Sequence, residues 1–71
     1  MENPLKEKRL SMGLTINQMS DSSGFNTRKL YSWESDQNYP NMKLILRVAR
    51  AYSMSNEEII KWLEYVEEIT K

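Results

Sequence analysis

The residues with the clearest chemical potential lie close together: Asn26, Thr27, Arg28 and Lys29 in succession, with Tyr31 and Ser32 one turn later. Carboxamide, hydroxyl, cationic and aromatic side chains on neighbouring helical turns form a set that can read nucleobase edges. Arginine makes a bidentate pair with guanine and asparagine one with adenine. Lysine meets phosphate, and an aromatic ring packs on a thymine methyl or on sugar. Each residue also has a plainer reading. Asn26 is the natural N-cap of a helix, and that is its stronger assignment. Thr27 to Lys29 can equally be a solvated first turn. Arg28 and Lys29 are weighted towards recognition, because the first turn of a recognition helix is where base-edge readers sit.

These residues need a scaffold, and the stretch from Thr15 to Glu34 supplies one. Thr15 is a helix cap, and Gln18 three residues on completes a capping box. Gly24 is suited to the positive φ at which that helix stops. Asn26 then caps a second helix, to which Leu30 and Trp33 give an apolar edge with i, i+3 spacing. Met19 and Phe25 are the side chains expected to hold the two helices together, with small Ser20 where they cross. The layout is that of a helix-turn-helix over about residues 15–35.

The remaining chain reads as three more helices. Asn3-Pro4 opens the first, over about 4–12, with Leu5 and Leu10 expected in the core and Gly13 as terminator. The second and third cover about 16–22 and 27–35. Residues 35–40 form a polar loop ending in Pro40. Asn41 caps the fourth helix, whose buried face is expected to be Leu44, Ile45, Val48, Ala49 and Tyr52. Ser55-Asn56-Glu57-Glu58 is a second capping box, opening a C-terminal helix over about 56–70. No strand pattern or internal repeat appears, so an all-α fold in one domain, 1–71, is expected.

The chain has 71 residues, no cysteine, no histidine and a formal net charge of zero. Disulfides and Cys/His zinc sites are excluded. Without His or Cys the usual general bases and nucleophile pairs are missing, and both glycines serve as helix terminators rather than in a phosphate-cradling loop. Neither an enzyme nor a bound cofactor or metal is expected. The longest apolar run, Leu44-Ile45-Leu46, is far too short for a membrane span, and no secretory signal is evident, so a cytoplasmic location is expected. Charge is unevenly spread: residues 1–55 hold eight Lys/Arg against five Asp/Glu, and residues 56–71 two Lys against five Glu. The helix-turn-helix lies in the mildly basic part.

From about Leu5 to Ile60 the sequence resembles the Cro/CI-type (XRE) helix-turn-helix family of bacterial and phage transcriptional regulators. The resemblance is carried by the joint spacing of Gly13-Leu14-Thr15, Ser20, Gly24-Phe25, Leu30, Trp33-Glu34, Pro40 and Leu46/Val48-Ala49. It implies a compact five-helix bundle of the lambda-repressor-like kind, and an internal ion pair between Arg9 and Glu34. It also implies double-stranded operator DNA as partner. The pattern departs at Ile16, where the family has a glutamine touching the DNA backbone, and at Asp36 and Gln37, where it has a glycine and a lysine. Two phosphate contacts are thereby lost and a negative charge is expected beside the groove-facing surface. The backbone contacts that remain are Asn17, Gln18, Lys29, Asn38, Asn41 and Lys43.

Each lost phosphate contact lowers the salt slope of binding by about one unit, so a second copy or another protein gains importance. In the C-terminal helix Ile59 and Leu63 are expected in the core. Trp62, Tyr65, Val66 and Ile69 are the residues expected to meet a protein, including a second copy in a homodimer. Two readings follow. The first is a sequence-specific DNA-binding regulator, a small repressor or Cro-like protein of a phage or mobile element. The second is a modulator or antirepressor that uses the same surface to bind another repressor. Ile16, Asp36 and Gln37 suit the second reading, Arg28 and Lys29 the first.

Overall fold

A computed structural model describes residues 2–70, and their order is helical from end to end: α1 (Pro4–Ser11), α2 (Ile16–Ser23), α3 (Thr27–Glu34), α4 (Met42–Ala51) and α5 (Asn56–Thr70). The expected all-α, five-helix class is the one found, and no strand occurs among the described residues. Helix boundaries follow from side chains that satisfy the unpaired N–H groups of each first turn. The Asn3 carboxamide oxygen accepts from the backbone of Leu5 and Lys6, and Pro4 occupies the first helical position. Thr15 and Gln18 form the full reciprocal box, as do Ser55 and Glu58. In the second box the Ser55 N–H, and then the Lys8 ammonium at 3.0 Å, hold the Glu58 carboxyl below its usual range.

α2 stops at Gly24, which has φ 79°, a left-handed conformation open to glycine at no steric cost. The chain then turns through Phe25 into α3. Phe25 meets Trp33 edge-on, with ring centroids 5.4 Å apart, and its carbonyl accepts from the Ser20 hydroxyl at 2.6 Å. Small Ser20 thus lets the turn close against α2. The two helices are held by Met19 and Leu30, both buried.

The core gathers Leu5, Met19, Leu30, Trp33, Val48, Ala49, Tyr52, Met54 and Trp62, with Leu44, Ile45, Ile59 and Val66 packed at its edge. α3 packs on α2 and α1, and α5 lies chiefly against α1. Four expectations are corrected here. Leu10 is exposed rather than buried: it follows Leu5 by five residues, about 140° around the helix, and so leaves the face that Leu5, Arg9 and Met12 share. Leu63 is also exposed, whereas Trp62 is fully buried and Tyr65 nearly so. Trp62 and Tyr65 lie three residues apart on one face, and that face, the one with the largest apolar area, turns inward. Neither is therefore free to meet a second protein. Val66 is half-buried against the core, and Ile69 is exposed.

Candidate nucleic-acid interface

The first turn of α3 stands clear of the core. Asn26 accepts from the Arg28 N–H at 2.7 Å and the Lys29 N–H at 3.4 Å, which leaves both long side chains pointing outward. Neither Arg28 nor Lys29 forms an ion pair among the described residues. Thr27 and Ser32 are half-buried beside them, and Tyr31 is 58 % exposed.

Two hollows flank this helix. One is bounded by Arg28, Lys29, Ser32, Asn38, Asn41 and Leu44, with Trp33, Tyr39 and Pro40 behind them. The other is bounded by Ile16, Asn17, Thr27, Arg28, Tyr31, Ser32 and Gln37. Arg28 and Ser32 border both, so they form the crest between a pocket towards α4 and a pocket towards α2. Most of the residues singled out from the sequence are thus brought to one face. Gln18, Asn26 and Lys43 border neither hollow, although all three are exposed. Gln37, read from the sequence as a missing lysine and as suited to a protein partner, does border one. Its position in the polar loop directly after α3 was the available signal.

The caps have a chemical corollary. A carboxamide has an acceptor oxygen and a donor NH2, and capping uses the oxygen alone. Gln18, Asn26 and Asn41 each spend their oxygen on backbone N–H groups, of Thr15, of Arg28 and Lys29, and of Leu44. Their NH2 donors have no hydrogen-bond partner among the described residues and suit phosphate oxygens. Capping and recognition are therefore compatible in the same residue.

Two carboxylates close to the end of α3 decide the sign of the surface. Glu34 is buried and receives Arg9 through Nε at 3.0 and 3.1 Å and through Nη2 at 3.0 Å. Tyr52 donates to it at 2.6 Å, and burial, then this bond, hold the Tyr52 hydroxyl far above its ordinary pKa. Arg9 also donates to the Leu14 carbonyl at 2.8 Å, which ties α1 to the entry of α2. Asp36 behaves differently from its sequence expectation. Its carboxylate accepts from Asn3 Nδ2 at 2.9 Å, Tyr39 Oη at 3.2 Å and Tyr65 Oη at 2.7 Å. The charge is turned into the fold rather than set beside the groove-facing surface, because donors from three separate segments converge there. Burial, followed by the bond to Asp36, pushes the Tyr65 hydroxyl up to about 12. Burial and Asp36 also raise Tyr39.

A short helix, a left-handed glycine turn and a second helix with a free cationic first turn define the helix-turn-helix class of DNA-binding folds. A family model described as Helix-turn-helix matches residues 5–59, most of the chain. The chain belongs to this family, the Cro/CI or XRE type. Its coarse function is that of a DNA-binding transcriptional regulator, a kind of domain not typically enzymatic. Comparison with curated proteins and with solved structures gave no match. Among the described residues no helix is long and apolar enough to cross a membrane.

Proposed function

We propose that the chain is a sequence-specific regulator that reads duplex DNA through the first turn of α3, acting in the cytoplasm as a small repressor or Cro-like protein of a phage or mobile element. The observation that carries this reading is the unpaired Arg28 and Lys29 on the crest between two hollows lined by Asn17, Ser32, Asn38 and Asn41. Arg28 reads guanine, Thr27, Tyr31 and Ser32 touch neighbouring base edges and sugars, and Lys29 meets phosphate. Asn17, Gln18, Asn26, Asn38, Asn41 and Lys43 donate to the phosphates on either side of the groove.

A single copy supplies few cationic contacts, so two copies on paired half-sites give the needed affinity. The exposed Ile60 and Leu63 of α5, three residues apart on one face, are the apolar surface on which a second copy fits; exposed Ile69 lies about half a turn round the helix from Ile60. The modulator reading, in which another repressor is the partner, draws on Ile16, Asp36 and Gln37. The Asp36 carboxylate is occupied inside the fold, which takes the acidic element from that surface, while half-buried Ile16 and exposed Gln37 both border the hollow towards α2.

The test is a titration of DNA fragments from around the protein's own gene at two salt concentrations. Specific binding that weakens with salt and is lost in Arg28→Ala, at a cost of about 1–3 kcal/mol, is the expected result. Specific binding that survives Arg28→Ala removes Arg28 as the base reader. A response only when the neighbouring repressor is added would favour the modulator instead.

A further inference from the structure

Asp36 occupies a conformation that its residue type rarely takes. Its φ is 63°, in the left-handed region where glycine is at ease and aspartate is tolerated. Three hydrogen bonds to its carboxylate offset that local cost; Tyr39 is a neighbour in the same loop, but Asn3 is 33 residues away in sequence and Tyr65 is 29. No lysine or arginine pairs with it among the described residues. Asn3 makes a second bond to the same helix end, donating to the Trp33 carbonyl at 3.0 Å.

The segment that Asp36 opens is the one that borders the proposed interface. Gln37 and Asn38 both donate their N–H groups to the Ser32 carbonyl, at 3.0 and 3.4 Å. Tyr39 turns its hydroxyl back to Asp36, Pro40 is buried, and Asn41 caps α4. Towards α3 the segment after Asp36 is thus fixed by the Ser32 carbonyl, and towards α4 by buried Pro40 and the Asn41 cap. A further restraint runs through Asp36 to the beginning of α1 and to the second half of α5.

We propose that Asp36 is a positioning residue for the DNA interface: clasped by Asn3 and Tyr65, it fixes the loop that presents Gln37, Asn38 and Asn41 beside Arg28. α5, which touches neither hollow, thereby sets the geometry of the recognition face through the Tyr65 hydroxyl. The inference rests on the DNA-binding reading, and it deepens that reading by assigning a role to a residue that contacts no DNA. The arrangement matters because a contact displaced by about 1 Å loses most of its value, and supporting bonds around a site provide that accuracy.

Tyr65→Phe isolates the effect, since the ring keeps its place in the core and only the bond to Asp36 goes. Asp36→Asn is the second variant, retaining size and one acceptor oxygen. The first readout needs no DNA. Hydrogen exchange at the Gln37 and Asn38 amides should accelerate about tenfold in Tyr65→Phe relative to Leu30, because local opening becomes easier while the core stays closed. Equal acceleration everywhere, or none at the loop, overturns the proposal and leaves the clasp as a stability feature. The second readout is a double-mutant cycle on DNA affinity. Asn38→Ala should weaken binding several-fold in the wild type and hardly at all in Tyr65→Phe. Additive losses overturn the proposal. Should the wild type bind no fragment, the DNA reading fails, and the exchange comparison still decides whether the clasp holds the loop.

Discussion

Glu34 and Asp36 close the same helix end, yet the fold satisfies their charges by opposite means. Glu34 is almost fully buried, and it receives a guanidinium as well as a tyrosine hydroxyl. Asp36 is only half-buried, and two tyrosine hydroxyls and a carboxamide suffice for it. The difference follows from desolvation. A carboxylate removed from water needs a counter-charge, because neutral donors alone do not replace its hydration. At the rim, water still contributes, and dipoles can complete the shell. The family resemblance anticipates the first arrangement and not the second. Glu34 locks α1 onto α3, whereas Asp36 connects the outer loop to the two flanking helices.

The strongest way to break this contrast is to remove a partner from each acid. Arg9→Ala leaves Glu34 buried beside a lone hydroxyl and should destabilise the fold by about 3–5 kcal/mol, read by thermal or urea unfolding. An unchanged melting temperature would show that Glu34 finds water or another cation. Asp36→Gly is the milder counterpart. It removes the acceptor of three hydrogen bonds and relieves a left-handed backbone costing about 1–2 kcal/mol. Because water replaces part of those bonds at a half-buried site, the net loss should be smaller than that of Arg9→Ala in the same unfolding experiment. A loss as large as that of Arg9→Ala would erase the distinction between the two sites.

The smallest effect is a dependence on alkaline pH that both sites share. The hydroxyls of Tyr52 and Tyr65 have folded pKa values raised above the ordinary 10.0. Their protonated forms therefore favour folding; the contribution is complete below pH 10 and declines as pH rises through the folded values. For Tyr65 that window lies between 10.0 and about 12. The stability difference between wild type and Tyr65→Phe should narrow across it, while that for Tyr52→Phe persists to higher pH. Parallel curves for the two variants would mean that Asp36 and Glu34 hold their tyrosines equally.

The helix starts were legible in the sequence because capping is local. Asn3, Thr15 with Gln18, Asn26, Asn41 and Ser55 with Glu58 all do what their spacing of two to three residues implies. Rotational phase was harder to read. The apolar stripe of α5 is broad enough that its sequence does not say which part faces inward. Contact with α1 and the bulk of Trp62 decide it, and Leu63 is left outside. The inward turn of Asp36 was not legible at all. Tyr39 is a local donor, but the other two lie about thirty residues to either side, and nothing near Asp36 signals them. Of the proposed recognition surface, the residue types and their order on α3 could be read from the helix-turn-helix spacing. The sharing of Arg28 and Ser32 between two hollows required the path of the 35–41 loop.

The convergence of Asn3 and Tyr65 on one carboxylate also bears on how the molecule comes apart. Terminal helices usually fray independently, each end opening to solvent and to proteases on its own. Here, loosening the first turn of α1 withdraws a donor from the same side chain that anchors α5. Release of α5 likewise weakens the anchorage of α1. The two distant ends of the described chain are thereby joined into one cooperative unit, and proteolytic nicking near either should expose both at the same rate.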